Sequence, residues 1–140
     1  MNSFTGPYEI VFVEGQFKIV VEAIMNPGTD LPGHAEYELR YIAHDHGISA
    51  DVKSEAWNID FRELSKTFET ILKEFLPGAS RKVDFSHGVF SITMTTESRG
   101  PLNLHISLRP DPWLATVFTF ETAIQQEDAK RLIREMNTLL

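Results

Sequence analysis

Apolar and polar residues alternate along most of this chain, and the alternation gives way twice to stretches in which apolar residues recur at three and four. A period of two belongs to strands that bury one face, and a period near 3.6 to helices that bury one stripe. The chain is thereby held to an α+β class. The pattern predicts an antiparallel meander sheet of about seven to eight strands with two helices packed on it, arranged as two successive halves that each run strands and then a helix.

Tyr8 to Val13 and Gln16 to Ile24 alternate on either side of Glu14-Gly15, which predicts a hairpin with Phe12 opposite Phe17 and Ile10 opposite Ile19. Met25 to Gly33 holds two prolines and two glycines and reads as a loop. Ala35 to Ala43 places Tyr37, Leu39 and Tyr41 on one face and Glu36, Glu38 and Arg40 on the other, and Ile48 to Trp57 alternates again. With His44 to Gly47 as a four-residue loop, Arg40 would face Asp51, Leu39 would face Val52 and Glu38 would face Lys53.

Asp60-Phe61-Arg62-Glu63 fits a capping box with Asp60 at the N-cap. Phe61, Leu64, Phe68, Ile71, Leu72 and Phe75 then form one apolar stripe, which Pro77-Gly78 ends. The second half repeats the plan with strands near 82–85, 89–96, 102–108 and 114–120. A closing helix over about 126–139 would bury Ala129, Leu132, Ile133, Met136 and Leu140. The halves share no evident sequence identity and no linker parts them, so residues 1–140 are expected to form a single domain.

Thirteen Lys and Arg against twenty Asp and Glu leave a net charge of −7, which argues against a nucleic-acid partner. With no cysteine the fold must stand on packing alone, and a reducing cytoplasm is the simplest setting. No apolar run approaches the roughly 20 residues of a membrane span, and the N-terminus lacks the features of a secretion signal.

Candidate chemistry is thin. His44-Asp45-His46 is the most metal-like cluster, but a turn spoils its geometry, and His34, His87 and His105 are dispersed. Gly78 to Lys82 follows a helix instead of opening one, so it makes a poor phosphate cradle. No nucleophile elbow, P-loop or dinucleotide fingerprint occurs, and no catalytic residue, metal or cofactor is expected.

What remains is the outward row Glu36, Glu38, Asp51 and Glu55, with Asp45 at the tip and Trp57 on the same polar side. Such a row offers a basic partner an acidic face with an aromatic anchor. Arg40 and Lys53 are interleaved where they neutralise their neighbours, so the row also reads as an ordinary solvated face. Trp113 follows a double-proline turn, where it would either contact a partner or cap the core.

The hairpin start, the Asp-led helix with Leu64 and Phe68, then Phe90-Ser91-Ile92, Leu102-Asn103-Leu104-His105-Ile106, Phe118-Thr119-Phe120 and the closing helix form a familiar order. From about residue 31 onward it resembles the WapI family of small bacterial immunity-like proteins. The resemblance implies an intracellular bacterial protein that binds a cognate toxin, often a basic nuclease domain, and neutralises it without chemistry of its own. It assigns no role to any individual position. Two other readings stay open: a small-molecule-binding or enzymatic domain with a pocket between sheet and helices, and a homo-oligomer built on exposed strand edges.

Overall fold

A computed structural model describes residues 7–26, 35–73, 80–97, 101–109 and 117–138. The first half holds β1 (Tyr8–Val13), β2 (Phe17–Asn26), β3 (Glu36–Asp45), β4 (Ile48–Trp57) and α1 (Asn58–Lys73). The second holds β5 (Ser80–His87), β6 (Phe90–Glu97), β7 (Leu102–Leu108), β8 (Phe118–Ile124) and α2 (Gln126–Asn137). The class is α+β, each half running strands then helix. The eight strands are shared between two antiparallel sheets of four, ordered β1-β2-β3-β4 and β5-β6-β7-β8.

Alternation decides which face of each strand is buried. β3 buries Tyr37, Leu39, Tyr41 and Ala43, and β7 buries Leu102, Leu104, Ile106 and Leu108. α1 adds Phe61, Leu64, Phe68 and Ile71, and α2 adds Ala129, Leu132 and Met136. Each large apolar side chain so buried contributes roughly 1.5–3 kcal/mol relative to exposure. Ile133 is half-buried, while Phe75, Leu114 and Leu140 lie outside the described residues, as do Pro77-Gly78 and the Pro110-to-Pro112 turn.

One aromatic seam joins the two sheets. Phe90 of β6 stacks on Tyr41 of β3 at 4.9 Å between ring centroids and on Phe17 of β2 at 5.7 Å, and Phe120 of β8 stands 5.9 Å from Phe17. The helices cross between the halves. α1 packs on α2 and on β5, while α2 packs on β1, so each helix rests on the opening strand of the other half. Polar contacts fix this arrangement: Ser65 donates to Asn137 at 3.2 Å, Arg131 donates to the Val11 carbonyl at 2.9 Å, and the Tyr8 hydroxyl donates to the Glu135 carbonyl at 3.3 Å.

Three sequence expectations are corrected. The β3–β4 hairpin closes on a two-residue turn, His46-Gly47, with φ of 50° and 79°; the primed turn favoured between antiparallel strands needs positive φ at both central residues. Its register therefore sets Glu38 opposite Glu55, Leu39 opposite Ser54 and Arg40 opposite Lys53. The first hairpin turns through Glu14, Gly15 and Gln16, with Gly15 at φ 74°, so Ile10 faces Ile19 as expected but Phe17 faces Val13. Phe12 still meets Phe17 edge-on at 5.0 Å. Finally, α1 begins at Asn58, and Asp60 sits in its first turn, where its carboxylate accepts from the Trp57 amide at 2.7 Å. Asp60 is thus the acid that reaches back in a capping arrangement and not the N-cap itself.

Candidate functional site

The register of β3 and β4 arranges the outer face of their sheet in rows: Glu36 beside Trp57, Glu38 beside Glu55, Arg40 beside Lys53, Ile42 beside Asp51 and His44 beside Ser49. Glu36, Glu38, Asp51, Glu55 and Trp57 therefore share one face. Asp45 does not join them. It falls on the opposite parity at the end of β3, where Gln16 donates to it at 3.4 Å and His46 stands 3.0 Å away.

The face divides electrostatically. Arg40 donates through Nε to Asp51 at 3.0 Å and through Nη1 to Glu22 at 3.0 Å, and Nη2 also reaches Asp51. These hydrogen bonds hold the Asp51 carboxyl below the usual carboxylate range and push the guanidinium further into its charged range. That middle stretch is neutralised. At the far end Glu38 and Glu55 stand directly opposed, with Glu36 in the next row, and among the described residues no salt bridge forms to any of the three. Like charges in opposed sheet positions cost roughly 0.2–1 kcal/mol. Trp57, 38% exposed, closes this corner, with Ile59 at 49% two residues further on in the first turn of α1, and Met25 at 52% on β2 between the residues paired with Tyr37 and Glu36.

The second half holds the corner in place. His87, the last residue of β5, presents Nε2 to the Glu55 carbonyl at 3.0 Å and Nδ1 to Asp60 at 3.4 Å. A carbonyl only accepts, so Nε2 carries the hydrogen. Asp60 in turn takes the Trp57 amide, which makes a chain of contacts from β5 to the backbone of both Glu55 and Trp57. His87 was read from the sequence as a dispersed histidine; its partners are distant in sequence, and no local spacing marks them.

The remaining candidates do not assemble. His44 meets Ser49 at 2.7 Å, His46 is 89% exposed in its turn, and His105 pairs with Glu121 at 3.3 Å on the other sheet. Among the described residues no group of three or more His, Asp or Glu is placed to hold a metal ion. His34 and Trp113 lie outside the described residues, as does Gly78-Ala79, and β5 opens at Ser80. Between the first sheet and α1, the space lined by Leu39, Tyr41, Phe61, Leu64 and Phe90 amounts to about 10 Å³, barely one water molecule, whereas an open cleft of about 400 Å³ lies among β1, β8 and α2, lined by Val11, Val13, Ile124, Asp128, Arg131 and Glu135. Among the described residues, no helix is long and apolar enough to cross a membrane.

No protein-family model and no curated protein matches the chain. Among solved structures, a protein of unknown function from the DUF155 family of Prochlorococcus sp. NATL2A is similar at a TM-score of 0.44 and 4% identity, over 91% of this chain and 94% of that one. A likeness that distant carries no argument about either fold or function.

Proposed function

We propose that this chain is a non-enzymatic protein-binding domain of the bacterial cytoplasm, an immunity protein that neutralises a basic toxin by covering it with the outer face of β3 and β4. The observation that carries the reading is the Glu38–Glu55 opposition beside the exposed Trp57. Two glutamates in directly opposed positions on an exposed strand pair oppose folding, and a partner's Lys or Arg between them would turn that cost into binding energy. Tryptophan at the edge of such a patch is the residue type most often found to anchor an interface. Under α1 the interior is filled, with about 10 Å³ left; a small-molecule ligand, whose pocket normally spans roughly 300–1,000 Å³, would have to use the open cleft of about 400 Å³ among β1, β8 and α2 instead.

The test is capture of a secreted basic toxin domain from the source bacterium, followed by protection of toxin-expressing cells. The wild-type chain should bind about one-to-one, weaken with rising salt and restore growth. Trp57→Ala, and Glu38→Gln with Glu55→Gln, should each remain folded and lose protection. Protection that survives both variants would overturn the assignment of the interface, and the absence of any toxin partner would overturn the function.

A further inference from the structure

A second feature of the same outer face lies at its opposite end. The pairing of β1 with β2 steps from Val11 opposite Lys18 to Val13 opposite Phe17, so β1 carries one residue more than its partner. Such a bulge bends the strand and sharpens its twist. The tip of the hairpin stays tied to β3, because the Gln16 carbonyl accepts from the His44 amide at 2.8 Å. Bent away at one point and tethered at another, the hairpin leaves a cavity of about 130 Å³ floored by Val11, Val13 and Ile42 and walled by Glu14, Lys18 and His44.

Size and charge limit what can occupy it. A cavity of roughly 150 Å³ takes a benzene ring, so this one, at about 130 Å³, has room for a group the size of one side chain. Its floor is apolar and half-buried in the isolated chain. On the rim Lys18 is paired with Glu9 at 2.8 Å, which cancels both charges, while Glu14 is exposed and forms no salt bridge among the described residues. The cup therefore has an apolar floor and one uncompensated negative charge. Ile42 and His44 lie on the same outer face as Glu38, which is four residues from Ile42 along β3 and hence about 13 Å away.

We propose that this cup is the second anchor of the interface, receiving one apolar or aromatic side chain of the partner with a neighbouring Lys or Arg against Glu14. The inference rests on the protein-binding reading above, yet it can fail separately from it. The occupant is a side chain flanked by cations, as the lone charge of Glu14 and the acids at the other end of the face require.

The probe is a capped Lys-Phe-Lys peptide titrated into the isotope-labelled full chain, followed by the amide resonances of Gly15, Gln16, Ile42 and His44. Saturable shifts at those positions are expected, with Lys-Ala-Lys binding about tenfold or more weakly for want of the buried ring. Glu-Phe-Glu, or Lys-Phe-Lys on the Glu14→Lys variant, should bind roughly two- to fivefold more weakly. Equal binding of the Phe and Ala peptides, or shifts confined to other residues, would overturn the cup. Repeating the titration on Glu38→Gln with Glu55→Gln separates the two proposals, because cup shifts should persist there even if the corner is abolished.

Discussion

Each sheet turns a row of Phe, Ile and Leu inward, yet outward the two differ in kind. β3 and β4 display Glu38, Arg40, Asp51, Lys53, Glu55 and Trp57, whereas the corresponding grid on β5 to β8 runs Ser86-Ser91-Ser107-Thr119 in one row and Lys82-Thr95-Asn103-Ala123 in another. Its middle row, Asp84-Thr93-His105-Glu121, satisfies itself: Thr93 donates to Asp84 at 2.6 Å and His105 pairs with Glu121. Short hydroxyls expose little apolar area and few open charges. The requirement to bury one face is the same for both sheets, so the inner faces say nothing about function. The outer faces are free to differ, and among the described residues only that of β3 and β4 keeps unrelieved charge beside an exposed indole.

The largest expected effect tests how far the halves are separate at all. Phe90→Ala removes the ring that stacks on both Tyr41 and Phe17, and should cost about 3–5 kcal/mol while both halves still melt in one transition. Two resolved transitions by calorimetry would break the comparison at its root. On the outer faces, Trp57→Ala should weaken partner binding by roughly 2 kcal/mol, about thirtyfold in Kd, measured by titration calorimetry against the captured toxin.

The shared interior also predicts an alkaline limit. Burial holds the Tyr41 phenol above its usual value of 10, so the folded chain retains a proton that the unfolded chain releases. The corresponding stability is complete below pH 10 and is lost as pH rises from there toward the folded value, at up to about 1.4 kcal/mol per pH unit. Denaturant melts of Tyr41→Phe should show a flatter decline above pH 10 than the parent chain.

Two smaller effects sharpen the contrast between the faces. Glu38→Lys should raise stability by about 0.2–1 kcal/mol by relieving the opposition to Glu55, and should slow association with a basic partner. Thr95→Ala, in the hydroxyl grid, should stay within about 0.5 kcal/mol of the parent and leave binding unaltered. A gain in both stability and binding for Glu38→Lys would remove the reason for assigning the corner to a cationic partner.

Much of the fold was legible because burial writes itself into alternation. β7 was read with its observed bounds, and the inner rows of β3 and of both helices followed from periodicity. The β3–β4 register was not. A slip of two residues leaves every side chain on its original face, so the apolar pattern that excludes a slip of one is silent about a slip of two. Turn geometry decides it, and His46-Gly47 is a weaker advertisement for positive φ than Asn-Gly would be. The same slip hid the Glu38–Glu55 opposition, while Arg40 still reaches Asp51 diagonally from the next row. β8 runs Phe118–Ile124 and so extends four residues past the expected 114–120, of which 114–116 lie outside the described residues; its inner row passes through a threonine that donates to Gln16 at 2.6 Å. The cup depends on a bulge at Val11 to Val13, where Ile10 to Val13 form an unbroken apolar run with no alternation to mark a shift, and only the hydrogen-bond ladder reveals it.

The grip of α2 on β1 sets an order in time. Arg131 and Glu135 meet Val11 and Tyr8 across sequence separations of 120 and 127 residues, so these contacts close among the longest loops the chain can form. Long closures are slow relative to hairpins. Until the last helix arrives, β1 stands at the rim of its sheet with backbone groups available to any other extended chain. The interval before that closure, more than the stability of the finished molecule, is when this protein is most exposed to aggregation.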